Sequence, residues 1–540
     1  MMDRRIKVAA FLSLAILFAC EQGTTSAGPT GGTIVISASA DADILLPPLT
    51  LSIQGKQVND QLFDVLADVG ENLNTAGDAG FTPRLAKSWS WSPDSLSISF
   101  SLEPAAKWHD GTPVRAEDVR FTYQLVKDTA TASVLSSNLD DVDSVSVVDS
   151  LTARVWLHRR TPDAFYHASS IPILPEHVLR PFKPGELAAS EIGTHPIGSG
   201  RFRFLKWDKG NSLTLVADTG NYRGRPHADR VTWIVAPDYT AATLRFLSGD
   251  ADVLDVVKPE AVARIAAAKG HLIEATPGLD YGYVGFNLIN PANGRAHPVF
   301  ADRDVRRALV MAVNRDALVR NVFDTLGLVA HGPVTRALTT SDTTIGLPYD
   351  TAAAARALDS LGWKRNASGM RSRKGVELAF ALMVPSSSTN RMKLATLLQD
   401  QWRKAGANVR IESLELNAFG ARMEEKKFDA ILNGWHIDPD PASIREEWTQ
   451  AQIRKGGFNL TSYRNPAFDA VVDSAAVEWN PERSVALYRR AYRMLTDDAA
   501  AMWLYESRNV FGVSDRIQTS GLRPDGWWVH LADWSVLRSK

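Results

Sequence analysis

Between residues 377 and 433 strand-like and helix-like patterns alternate, and this stretch constrains the fold more than any other. Residues 377–383 read as an apolar strand, 390–404 as a helix, 408–414 as a strand, 417–425 as a helix and 428–433 as a strand. Parallel strands need long crossover connections, usually helical, so β-α-β-α-β is the signature of a parallel sheet covered by helices. Ligands of such sheets sit beyond the carboxyl ends of the strands. The segment that follows 428–433 is Gly434, Trp435, His436, Ile437, Asp438, Pro439, Asp440 and Pro441, so topology alone makes it a candidate site.

The rest of the chain is also mixed α/β. Strands are expected at 33–37, 96–102, 153–157, 212–217, 230–235, 281–287 and 501–505. Helices are expected at 115–128, 239–247, 304–313, 315–323, 349–361, 465–476 and 482–497. The run Leu45, Leu46, Pro47, Pro48, Leu49 cannot continue the first strand, because proline lacks the N–H that a ladder requires. The turn-rich residues 196–200 mark a boundary.

At 540 residues the chain is long enough for two to four domains. Lys plus Arg (60) and Asp plus Glu (61) balance, which excludes a global electrostatic grip on nucleic acid. The single cysteine, Cys20, excludes an internal disulfide and any multi-cysteine metal centre. The eleven histidines are dispersed, with no pair spaced for one helical face, and no phosphate-binding glycine loop or nucleophile elbow is present. Asp438 and Asp440 could form a carboxylate pair for acid/base work, or bind a cation and cap a turn beside proline. The sequence therefore indicates no catalytic residues, no cofactor and no metal ligand set.

The first residues carry Arg4, Arg5 and Lys7, then an apolar run at 8–18. That run is too short to span a bilayer, which takes about 20 residues, and fits a signal-peptide core. It ends Leu17, Phe18, Ala19, Cys20, which resembles a bacterial lipobox with Cys20 as the lipidated residue; a plain secretory peptide is the alternative. Residues 20–32 then form a Gly/Thr/Ser-rich tether.

Four stretches together resemble the family 5 extracellular solute-binding proteins, the peptide- and nickel-type receptors of ABC importers. The first runs from Phe81–Ala86 through Trp108, Asp110, Gly111 and Pro113 to Asp118, Val119 and Phe121. The second is Pro196–Phe202 with Asn221, Tyr222, Arg223 and Gly224. The third is Gly285, Phe286 and Asn287, followed by Asp304–Leu309 and Asn314, Arg315. The fourth is Gly434, Trp435, Asp438, Asp440 and Pro441. Most of these residues read as scaffold. Trp108 should pack on a core above a turn closed by Asp110, and Arg306 and Arg307 should pair with surface acids.

The resemblance implies a two-lobed periplasmic-binding-protein fold (type II, cluster C) with an extra N-terminal subdomain and a hinge. The division expected is signal peptide 1–19, lobe 1 at 33–282 including a subdomain at about 64–195, lobe 2 at 283–508, and a return to lobe 1 at 509–540. It further implies a lipid-anchored, extracytoplasmic (periplasmic) monomer that captures oligopeptides for ABC permease subunits and touches the membrane through its lipid alone. A nickel chelate or another solute is the alternative ligand, and a sensor the alternative role. By the family pattern a peptide would pair with Gly434, Trp435 and His436, and with a second segment at 45–50 containing Leu46. Asp438 would hold its α-ammonium, or Asp440 in this shortened loop. Tyr283, Asn287 and Tyr505 flank the crossings, where aromatic residues either line the pocket or pack the hinge. Arg391 and Lys393 are the only bases near the place where dipeptide receptors hold a carboxylate, which leaves a carboxylate clamp open.

Overall fold

The computed structural model describes residues 31–537. The signal peptide, Cys20 and most of the tether lie outside the described residues. An eleven-stranded mixed sheet runs through the molecule. Its order is Asn408–Leu414, Ala379–Pro385, Ala430–His436, His271–Phe286, Ala501–Ser514, Val253–Leu254, Thr33–Ala38, Arg230–Val235, Ser212–Ala217 and Phe202–Asp208, with Gly327–Val329 paired off this path to Ala501–Ser514. The expected β-α-β-α-β block is present. Ala379–Pro385 lies parallel to both of its neighbours, and the helices Thr389–Ala405 and Leu416–Glu424 make the crossovers.

Two strands are far longer than their local patterns indicate. His271–Phe286 has 16 residues and Ala501–Ser514 has 14, and they pair antiparallel from His271 opposite Ser514 to Gly285 opposite Ala501. Each carries the chain from one half of the sheet to the other. Their ladder is interrupted between Pro277 and Tyr281, where Gly278, Leu279 and Asp280 face Ser507 alone. A side chain on Gly278 would put its Cβ 2.7 Å from the Ser507 carbonyl oxygen, so glycine is required there. A bulge of this kind bends and twists a ladder locally.

A separate antiparallel sheet, ordered Ala86–Trp91, Ser97–Leu102, Thr152–Leu157, Val142–Asp149, lies within the segment between Thr33–Ala38 and Phe202–Asp208. The helix Ala116–Lys127 packs on it, burying Val119, Tyr123 and Val126 at helical spacing. As expected, Trp108 is buried above a turn in which Asp110 accepts the Thr112 N–H at 2.9 Å; its indole donates to Asp118 at 3.2 Å.

Apolar cores lie on both halves of the large sheet. One gathers Ile34, Ile36, Leu215, Val231, Phe511 and Trp534, the other Phe286, Leu309, Leu382, Trp402 and Leu504. Trp402 is fully buried and donates its indole N–H to the Leu309 carbonyl at 3.0 Å; truncating such a residue costs about 3–5 kcal/mol. Arg306 and Arg307 serve the scaffold differently from expectation. Arg306 is buried and donates to the carbonyls of Phe300, Asp498 and Ala499, and Arg307 to that of Asp497. They satisfy carbonyls near the end of the helix Pro481–Asp497, which lack intrahelical donors.

Candidate functional site: an open strand edge at the crossing

The strand Ala430–His436 carries Gly434, Trp435 and His436 at its carboxyl end. One edge pairs along its length with His271–Phe286, from Ala430 opposite Phe286 to His436 opposite Asp280. On the other edge Ala379–Pro385 reaches only Ala430 and Ile431. From Leu432 to His436 that second edge has no strand partner among the described residues; Leu432 and Asn433 are buried, and the unpaired backbone becomes accessible from Gly434 to His436.

Arg391 reaches this edge. Its helix, Thr389–Ala405, starts at Ser388, whose hydroxyl accepts the Arg391 N–H, and ends at Gly406 in the left-handed region (φ +95°). Leu394, Ala395, Leu398 and Trp402 bury one face and fix its rotation. A Cβ on Gly434 would lie 3.0 Å from Arg391 Nη2 and 2.8 Å from the Tyr281 carbonyl, so glycine is what lets the guanidinium and the neighbouring backbone approach. Among the described residues the Arg391 guanidinium has no hydrogen-bonded or ionic partner.

Trp435 is half-buried and meets Phe458 edge-on, with ring centroids 5.6 Å apart; Phe458 is exposed. His436 is exposed, its Nδ1 3.1 Å from Asp280 Oδ1, and that hydrogen bond raises its pKa. Asp438 is exposed and has no side-chain partner among the described residues. The nearby Lys56, on the helix Ile53–Leu62, pairs with Asp60 at 2.9 Å. Burial alone would lower the Lys56 pKa, but Asp60, Asp525 and Asp438 together raise it. Of the acids in this region Asp60 pairs with Lys56, Asp280 with His436 and Asp525 with Arg523, which leaves Asp438 as the carboxylate free to meet a cationic group on a ligand.

Asp440 is turned away. It accepts the Ala442 N–H at 2.8 Å and faces His167 of the helix Ala164–Ser169.

Four of the expected ligand residues are buried in the structure. Leu46 is buried in the core of the first half, and its carbonyl accepts Leu49 N–H and the Thr50 hydroxyl in the 3₁₀ turn Pro47–Leu49. The prolines that end the first strand also stop residues 45–50 from offering a second pairing strand. Tyr283 is buried among Tyr281, Trp448 and Trp503, at centroid distances of 5.8–6.0 Å. Asn287 is buried and donates to the carbonyls of Lys426 (3.1 Å) and Phe428 (3.0 Å) while accepting the Ile289 N–H. Tyr505 is buried against Phe323, 4.4 Å between centroids. Each is spent on packing or backbone pairing.

Glu447 was not singled out by the sequence. It lies on the short helix Ser443–Trp448, and its Oε2 accepts from the Tyr281 hydroxyl at 3.0 Å and the Trp448 indole at 3.3 Å. Burial pushes its carboxyl up to about 7.

Two sheet halves joined by a pair of crossing strands, with an open strand edge and unpaired charges where they meet, define a solute-binding protein of the two-lobed periplasmic type. The chain belongs to the bacterial extracellular solute-binding proteins, family 5, whose middle-region model matches residues 80–455. It is the substrate-binding protein of an ABC importer, in a family that binds solutes rather than transforming them. It is 30% identical over 527 residues to Protein XP55 of Streptomyces lividans, covering 95% of this chain and 92% of that one. It is 26% identical over 517 residues to the oligopeptide-binding protein AppA of Bacillus subtilis, covering 92% of each. The structure of that AppA with a nonapeptide superposes with a TM-score of 0.72 at 25% identity, covering 94% of this chain and all of AppA. NikZ of Campylobacter jejuni with Ni(L-His) shares the fold, with a TM-score of 0.73 at 24% identity and coverage of 93% and 99%. Among the described residues no helix is long and apolar enough to cross a membrane.

Proposed function

We propose that the solute is an oligopeptide, bound in extended form along the free edge of residues 434–436. The open edge carries this reading: a peptide offers N–H and C=O groups at strand spacing whatever its sequence, so β-augmentation gives affinity with loose selectivity. The likeness to AppA, whose structure holds a nonapeptide, supports the same ligand class. Asp438 holds the peptide α-ammonium, and Arg391 takes a carboxylate or a backbone carbonyl beside Gly434. Residues 33–282 with the C-terminal return form one lobe, residues 283–508 the other, and the bulge at 278–280 is the hinge; a ligand shifts closure by contacting both lobes. Cys20 carries the lipid that keeps the receptor, a monomer, beside its permease.

Native mass spectrometry of the purified mature protein tests the ligand class. Retained masses that fragment as peptides are expected; retention of a metal chelate with no peptide overturns the reading.

A further inference from the structure

The aromatic cluster at the crossing encloses one carboxylate with no cation. Tyr281, Tyr283, Trp448 and Trp503 are each buried and lie within 5.3–6.0 Å of one another as neighbouring rings. Glu447 sits against this cluster with both of its neutral donors on the same oxygen, Oε2. Its Oε1 accepts no hydrogen bond among the described residues, yet it is not one of the sealed, unpartnered atoms and so keeps an open face. The charge acting on the carboxyl is that of Glu446, of like sign. A carboxylate withdrawn from water is normally paired with a cation or heavily hydrogen-bonded. Here Tyr281 and Trp448 orient the group and leave one oxygen unspent, while the ring cluster keeps its surroundings apolar. Tyr281 stands directly opposite Trp435 in the strand ladder, which ties this carboxylate to the site strand.

We propose that Glu447 Oε1 forms a subsite that selects ligands bearing a cationic side chain, an ammonium or guanidinium on an apolar stem. The ammonium supplies the missing charge and donates to Oε1 from the open face of the carboxyl. Asp438 and Glu447 then divide the work: one takes the terminal amine common to all peptides, the other discriminates among side chains. The proposal rests on the peptide reading of the cleft for its ligand, and on Glu447 geometry alone for its charge preference.

The test uses tetra-alanine peptides with lysine or norleucine placed in turn at each position, and 1,5-diaminopentane against 1-pentanol, titrated calorimetrically into the wild type and Glu447→Gln. The glutamine side-chain oxygen still accepts from Tyr281 and Trp448, so the fold is kept. The expected result is a preference of tenfold or more for lysine over norleucine at one position. Glu447→Gln should abolish it, leaving norleucine-peptide affinity within about twofold. Peptide binding with equal lysine and norleucine affinities in both proteins overturns the cation subsite and keeps the peptide reading. Diamine binding that Glu447→Gln removes, without any peptide binding, overturns the peptide reading and keeps the subsite. Binding of neither class overturns both.

Discussion

His167 Nε2 lies 3.5 Å from Asp440 Oδ2, an ion pair that joins the helix Ala164–Ser169 to the loop after the site strand. Both side chains are less than a fifth exposed. Asp163 and Asp141 stand beside the same imidazole. Asp440 is therefore spent on a contact with the N-terminal segment, which leaves Asp438 as the carboxylate without a partner.

This pair sets a pH dependence. Burial alone would lower the His167 pKa, but Asp440, then Asp163 and Asp141, outweigh it and raise it to about 9. A folded-state value above the unfolded one stabilises fully below pH 6.5 and is lost as pH rises through 9. Burial pushes Asp163 up as well, to about 6, so its contribution has already gone by neutral pH. His167→Gln should destabilise by about 2–3 kcal/mol at pH 7 and by much less at pH 10.5. Thermal melts of both proteins at the two pH values check this; a constant difference removes the ion pair as the cause.

Asp438→Ala should weaken peptide binding by roughly 2–5 kcal/mol, the range for breaking a desolvated charge pair, with little change in stability because the residue is exposed in a loop. N-acetylating the peptide should cost the wild type a similar amount and the variant little more. If the two losses simply add in calorimetry, Asp438 does not hold the amino terminus.

Arg391 invites the complementary cycle. Arg391→Met keeps the stem over Gly434 and deletes the charge. Peptides ending in a free carboxylate should lose affinity in the variant by about tenfold or more, and C-terminal amides much less. Equal losses for acid and amide would assign the guanidinium to a backbone carbonyl.

Asn287 should behave as scaffold. Asn287→Ala strands two buried carbonyls and one N–H and should cost about 1–3 kcal/mol in urea denaturation, while peptide affinity stays within about twofold. Lost binding without lost stability would return it to the ligand.

The block at 377–433 was legible because its buried parallel strand writes nearly continuous apolar sequence, as in Phe380–Val384, and its longer helix buries one face. Of the crossing strands only the stretches 281–287 and 501–505 were legible. The inner residues of these strands, among them Pro277, Gly278, Ser507 and Arg508, have poor strand propensity and are extended because each strand pairs with the other more than 200 residues away. The site was legible in part. Trp435 and Asp438 are legible as one local motif, whereas Arg391 lies 43 positions before Gly434 and arrives through helix geometry. Glu447 gave no periodic signal; a carboxylate beside Trp448 was its one local hint. His167 was visible only as one of eleven scattered histidines.

The two crossing strands also dictate an order of assembly. Val253–Leu254 lies between Thr33–Ala38 and Ala501–Ser514, so the first half of the sheet has a raw edge until a segment some 250 residues later is in place. The second half has most of its strands from one continuous run and can mature on its own schedule. Contacts this distant in sequence slow folding and leave pairing edges uncovered meanwhile. A chain truncated anywhere before residue 501 would lose both the last strand of the crossing and the lid on that edge, and should aggregate rather than survive as a half-receptor.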